Sequence, residues 1–333
     1  MRLLVLGGTE FLSQAVAADG VRRGHDVVCA ARGVTGPVPE GARLVKVDRD
    51  APGSVDVLAG ERFDAVVDVA KMSYPWVRDA LAAVGATAGH WTFVSTVNVY
   101  ADTATATDEL LEPLAEPPAE IPDDKLAEVY GAIKVASENA VRDAVGDRAF
   151  IVRPGLITGA RDATDRFGYW VARFARGGRV LVPDEPAQPI QHVDVVALAK
   201  WIVDSAEQRT TGTFDATGPV LELGDLLREV AALVAPEGTE LAAVAPADLT
   251  GAGVNPWSGP KSLPFWAPKT HYGVVTRDAS AAWGAGLGIR PLGGTVQDAL
   301  DTERRLGTDR ERKAGLTPGQ EAALLADLPQ RAW

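Results

Sequence analysis

The chain has almost no sulfur chemistry and little histidine. One cysteine stands in 333 residues, so no intrachain disulfide can form. Cys29 lies inside an apolar run, where a small buried thiol is ordinary. The four histidines are scattered, and with a single cysteine they give no metal-ligand spacing, so no metal is expected. Positive charge is also short. Against 45 Asp and Glu stand 33 Lys and Arg, for a formal net charge of -12. That speaks against a broad nucleic-acid footprint, which needs clustered cations, but leaves room for a local basic pocket around a phosphate. No apolar stretch approaches a membrane span. The opening MRLLVL is too short for a signal-sequence core and runs straight into a turn. A soluble, cytoplasmic protein with no membrane partner is expected. There is no internal repeat and no low-complexity tract. What is present, with 46% hydrophobic residues, is material for one large α/β domain or two modest ones.

Short apolar runs alternate with helical patterns through the first half. Strands are expected at Leu3–Leu6, Val27–Ala30, Leu44–Val47, Ala65–Val69, Trp91–Ser95 and Phe150–Arg153. An amphipathic segment, Leu12 to Arg23, separates the first two and stops at Gly24. Such alternation gives βαβ units and a parallel sheet, whose doubly covered strands read as continuous apolar runs. Residues 102–124 are acidic and proline-bearing, and read as a long surface loop. Residues 251–272, rich in Gly, Pro and Trp, are either a substrate lid or a loop pinned by packed rings. The tail from Thr317 reads as a capped terminal helix.

Two stretches carry chemistry. In LLVLGGTEFLSQAV a strand meets Gly7 and Gly8, and a helix follows. Its first amides would face an anion such as a pyrophosphate. Glu10 and Ser13 stand where a dinucleotide fingerprint would place further glycines. In VYGAIKVASENA, Tyr130 and Lys134 are four apart on one helical face. An ammonium beside a phenol favours the phenolate, which suits Tyr130 to general acid–base work. Chance also produces this spacing, so the surroundings decide. They are FVSTVNVY upstream and VRPGLITG downstream.

Taken in order, VSTVNVY, YGAIKVASE and RPGLITG resemble the extended short-chain dehydrogenase/reductase superfamily, of the NAD-dependent epimerase/dehydratase type. The resemblance covers most of the chain. IQHVDVVALA is similar to the segment that returns to the nucleotide domain in that family, and the Gly loop resembles a branch with the pattern GGTxF. The resemblance implies a Rossmann-type, doubly wound parallel sheet with a smaller α/β substrate-binding lobe. The expected division is 1–157 with 188–218 returning to it, 158–187 with 219–310 as the lobe, and 311–333 as a helical tail.

It also implies roles. Tyr130 would donate or accept the substrate proton, Lys134 would hold the nicotinamide ribose, and Thr96 would hydrogen-bond the substrate oxygen, unless its neighbour Ser95, otherwise placed in the cofactor site, is that hydroxyl. Thr96 could instead only cap a turn. The cofactor would lie along Gly7, Gly8, Thr9, Glu10, Phe11 and Leu12, then Asp48 and Arg49, then Val69, Ala70 and Lys71, with Pro154 and Ile157 near the nicotinamide. An acid usually ends the second strand in NAD enzymes. Ala31 is there instead, followed by Arg32, which favours the 2′-phosphate of NADP over NAD. Alternatively Arg32 is solvated or stacks on adenine, and NAD is used. His192, Arg166, Tyr169 and Trp170 are substrate-side candidates by location only.

The expected activity is hydride transfer at a carbon bearing oxygen, as a reductase or epimerase, on a small molecule such as a sugar or nucleotide sugar. Val97, where dehydratases of the family carry an acid, counts against dehydration. Two alternatives stand beside this one: a non-catalytic NAD(P) sensor, and an RNA-binding relative, to which the acidic balance gives little support. A homodimer is expected by analogy with relatives.

Overall fold

The structure is a computed structural model, and it describes all residues except 118–119 and 123–124. The chain divides into two compact units. The first contains Met1–Leu156, Val195–Gly218 and Arg277–Ile289, and the second contains Ile157–Asp194, Pro219–Thr276 and Arg290–Trp333.

The first unit is built on a seven-stranded sheet. Six of its strands are β1 (Arg2–Leu6), β2 (Asp26–Ala31), β3 (Arg43–Lys46), β4 (Ala65–Asp68), β5 (Trp91–Val94) and β6 (Ala149–Pro154), and the seventh is Gly212–Ala216. The order across the sheet is seventh, β6, β5, β4, β1, β2, β3. Every pairing is parallel. β4, β5 and β6 are buried along their whole length, the signature of strands covered on both faces. This is a Rossmann-type α/β fold. Its helices include α1 (Phe11–Arg22), α2 (Tyr74–Ala80), α3 (Leu126–Val145) and, later in the chain, Val195–Gln208.

The six expected strands each form, with ends shifted by a residue or two. The seventh had no sequence signal: GTFDA is short, and only its last residue is buried. Helix α1 lies close on the sheet because Gly20 has no side chain. A Cβ there would stand 3.0 Å from Leu3 and Val27. Gly24 takes φ +81°, which ends the helix cheaply. The strand order reverses direction between β1 and β4. That is the switch point where parallel sheets bind ligands, at the carboxyl ends of the strands.

The second unit has a three-stranded sheet of Arg179–Pro183, Glu240–Val244 and Arg331–Ala332. It also carries helix α4 (Arg166–Arg176) and the helices Leu223–Val234, Leu292–Leu306 and Pro318–Asp327. The last begins with a capping box in which Thr317 and Gln320 each bond the other's backbone. Of the acidic loop expected at 102–124, residues 118–119 and 123–124 lie outside the described residues. Its first part folds back on itself, with a single antiparallel bridge between Tyr100 and Leu110.

Candidate active site

The carboxyl ends of β1, β2, β4, β5 and β6 bring the expected residues to one edge of the sheet. β1 runs into Gly7 and Gly8, with φ of +134° and +103°. A Cβ on Gly8 would lie 2.4 Å from Cys29 Sγ, so the second glycine is required by the thiol beneath it. Ser13 fits where a third glycine would stand. Its hydroxyl donates to Glu10 O at 2.7 Å, and the space beside it is left by Gly7, whose missing Cβ would come within 3.0 Å of Ser13. No side chain caps α1 at Glu10, so the first-turn amides are open to an anion. Phe11 takes φ +39°, a strained value for an aromatic residue at a loop that leads into a helix. Thr9 is buried and shares a 2.7 Å bond with Thr35. Leu12 is buried. These observations fit a dinucleotide's pyrophosphate.

Arg32, the residue after β2, is exposed, with no hydrogen bond or ion pair among the described residues. Asp48 is exposed on the turn after β3. Arg49 is committed elsewhere. It grips buried Asp68 with two bonds of 2.7 and 3.0 Å, and donates to Trp76 O at 2.6 Å. Val69 is half-buried and Ala70 buried, while Lys71 is exposed and pairs with Glu10 at 3.3 Å.

Beyond β5, Ser95 and Thr96 have different environments. Ser95 is buried and donates to Glu138 Oε1 at 2.6 Å. Thr96 caps the short 3-10 turn Val97–Val99, its Oγ1 accepting from Asn98 N at 3.2 Å. Its own O–H has no partner among the described residues. The capping reading and the catalytic one are therefore compatible: the cap aims the hydroxyl and leaves its proton free to donate.

Helix α3 brings Tyr130 and Lys134 to this turn. It docks so closely at Gly131 that a Cβ there would stand 1.9 Å from Asn98 O. Tyr130 is half-buried. Lys134 Nζ lies 5.8 Å from the centre of the Tyr130 ring and 4.7 Å from that of Phe93. The ammonium donates to Val94 O at 2.5 Å and to Ala70 O. Burial brings the Lys134 amine down to about 7, against the opposing pull of Asp68 and Glu138. Pro154 closes β6 and is buried.

In the second unit, Ile157 is half-buried. His192 bonds Thr158 Oγ1 through Nδ1 at 2.9 Å, and burial brings it down to about 4, so it is neutral at pH 7. Two substrate-side candidates are corrected. Tyr169 and Trp170 are core residues, both buried, their ring centres 5.0 Å apart, with Trp170 stacked on Phe174. An aromatic run on an amphipathic helix packs inward, and location in the sequence could not tell packing from binding. Arg166 remains partly exposed, 5.5 Å from the Trp257 ring. The aromatic loop 251–272 is pinned at one end, where Phe265 and Trp266 are buried and Gln188 bonds both Phe265 O and Ala267 N.

Sequence reading missed Gly131, Glu138 and Arg153, although all three stand inside the quoted motifs. The available signal was a glutamate on the face of Tyr130 and Lys134, four residues further on, in a helix otherwise apolar there.

Residues 3–214 match the NAD dependent epimerase/dehydratase family. No curated protein matches the chain. Among solved structures, the chain is similar to UDP-N-acetylglucosamine 4-epimerase from Bacillus cereus, at 16% identity and a TM-score of 0.65, over 92% of this chain and 98% of that one. It is similar to the enzyme WbmG of Bordetella bronchiseptica, solved with NAD and UDP, at 17% identity and TM-score 0.65, over 95% and 98%. UDP-glucose 4-epimerase of Thermotoga maritima, solved with UDP-glucose, gives 15% identity and TM-score 0.63, over 92% and 99%. At such identities the likeness is one of fold.

Proposed function

The chain belongs to the NAD dependent epimerase/dehydratase family, and from that premise we propose that it is a reductase or epimerase acting at an oxygen-bearing carbon of a small molecule, with Tyr130 as general acid and base. The observation that carries this is the docking of α3 at Gly131, which sets Tyr130 and Lys134 against the turn bearing Thr96. A bound dinucleotide would supply hydride and take it back. Thr96 donates its free proton to the substrate oxygen and holds it. Tyr130 would give a proton to that oxygen as hydride arrives at the carbon, and take the proton away as hydride leaves it. Lys134 holds the nicotinamide ribose and, while charged, favours the phenolate. Gly7, Gly8 and the α1 amides hold the pyrophosphate.

A sugar or nucleotide sugar is the substrate class that family membership favours, since the similar structures named above are UDP-sugar epimerases or hold UDP. The sensor alternative is less favoured because Thr96, Tyr130 and Lys134 are all present together. A homodimer remains part of the proposal by analogy alone. The finer cofactor proposal is NADP over NAD. It rests on Arg32, exposed and without a partner among the described residues, and on the absence of an acid at Ala31. The family's name and the NAD-bound relative weigh on the other side.

Titration with NADPH and NADH, followed by nicotinamide fluorescence, tests both levels. Wild type is expected to bind NADPH more tightly, and Arg32→Ala to bring NADPH down to the NADH level. Equal affinities in wild type would remove the NADP proposal. Binding of neither nucleotide would remove the oxidoreductase. With a UDP-sugar panel, Tyr130→Phe is expected to lower kcat about 100-fold or more while leaving NADH binding intact.

A further inference from the structure

We infer that Glu138 is a positioning residue that holds together the two strand ends flanking the nicotinamide side of the site. The inference rests on the dinucleotide reading above. Glu138 lies one helical turn past Lys134 and two past Tyr130, on the same face of α3. It is fully buried. Its carboxylate is shared between two neighbouring strands. Oε1 accepts from Ser95 Oγ at 2.6 Å and from Arg153 Nε at 2.9 Å, and Oε2 accepts from Arg153 Nη2 at 2.7 Å. Arg142 Nη2 adds a fourth bond, to Oε2, at 2.8 Å. Ser95 immediately precedes Thr96, and Arg153 immediately precedes Pro154. One carboxylate on the Tyr130 helix thus fixes the backbone next to both.

The chain of bonds continues through Arg153. Its Nη1 donates to Tyr100 OH at 2.9 Å, and that hydroxyl donates to Asp215 Oδ1 at 2.8 Å. Arg277 Nε then donates to Asp215 Oδ2 at 2.7 Å. β5, β6 and the seventh strand are tied by one charged network. Burial pushes the Glu138 carboxyl up, but Arg153 and Ser95 more than reverse it and hold the group below the usual carboxylate range, so it stays ionised.

Stability alone does not require this arrangement. A packed hydrocarbon at 138 would serve as well or better, because desolvating an ion pair cancels much of its attraction. What the pair adds is direction. A planar guanidinium engaged at both carboxylate oxygens admits little rotation, and each displaced strand end would leave a buried charge short of a partner.

Glu138→Gln keeps the volume and removes the charge. The test compares NADH with ADP, which lacks the nicotinamide, on the purified full chain. The variant is expected to bind NADH about tenfold more weakly than wild type, with ADP affinity changed by less than about twofold. Equal weakening of both ligands, or no change in either, overturns the inference, since a merely structural residue would not separate the two halves of the nucleotide. Ser95→Ala, which deletes one bond and leaves the ion pair buried, covers the case in which Glu138→Gln does not fold. Its expected result is the same split, smaller in size. A wild type that binds neither NADH nor NADPH would sink the dinucleotide reading instead. Amide exchange without nucleotide then decides: acceleration confined to 95–99 and 153–156 supports the positioning role, and uniform acceleration or none ends it.

Discussion

Lys134 is the residue where burial and function pull hardest against each other. A lysine in solution keeps its proton to well above pH 10, yet burial brings Lys134 down to about 7. The folded state therefore gives up this proton at a lower pH than the unfolded chain. Between pH 7 and 10.5 the unfolded chain binds more protons, so this residue makes stability rise with pH through that window. Below pH 7 both states are protonated and the buried charge bears its full desolvation cost. Lys134→Met removes the linkage. Wild type is expected to gain on the variant by roughly 1.4 kcal/mol for each pH unit above 7, as read by urea unfolding at pH 7, 8 and 9. A constant difference across that range would mean that the amine is not desolvated as the structure implies. Arg49 makes the opposite point. The resemblance assigned it to the cofactor, while in the fold its Nη1 and Nη2 are bonded to Asp68 and Trp76 O.

At the scale of elements, the site depends on how one helix meets one turn. Helix α3 carries Tyr130 and Lys134 in the right phase whatever its surroundings, because a four-residue spacing on a helix is local geometry. Its distance from Thr96 is not local. It is set by Gly131, against the Asn98 carbonyl, with Leu111 also within 2.7 Å of where a Cβ would be. Gly131→Ala is favourable for the isolated helix by about 1 kcal/mol. In the protein it must push α3 off the turn, and a net loss of about 2 kcal/mol or more is expected. NADH binding should weaken in parallel, since Tyr130 and Lys134 move with the helix. Denaturant unfolding checks the first expectation and nucleotide titration the second. A stabilised Gly131→Ala would show that the helix and turn have slack between them.

For the molecule as a whole, acid is the informative stress. His192 is half-buried, and burial lowers it to about 4, against an ordinary value of 6.5. Between those values the unfolded chain takes up a proton that the folded chain refuses, so stability falls as pH drops through this window. The full contribution is about 3 kcal/mol. At the same time the net charge of -12 is relieved as carboxylates protonate, which favours the compact state. The two effects are separated by difference. His192→Gln should lose less stability than wild type between pH 6.5 and 4, with parallel behaviour above pH 7. Thermal melts at four pH values would measure this, and parallel curves throughout would show His192 to be solvated. No helix among the described residues is long and apolar enough to cross a membrane.

Most of the nucleotide-binding half was legible in the sequence because its signals are local. Doubly buried parallel strands read as apolar runs, Gly7 and Gly8 mark a turn that few other residues can make, and Tyr130 and Lys134 share a face by helical period alone. Tertiary structure decided what depends on distant partners. Only packing distinguishes Ser95, bonded to Glu138, from Thr96, whose O–H has no partner among the described residues, since the two are adjacent hydroxyls at one strand end. Only packing turns Tyr169 and Trp170 inward and commits Arg49 to Asp68. Glu138 and Arg153 stand 15 residues apart, and no pattern in either segment announces that they meet. A periodic signal records which way a side chain faces, whereas its partner is chosen by the fold that brings two segments together.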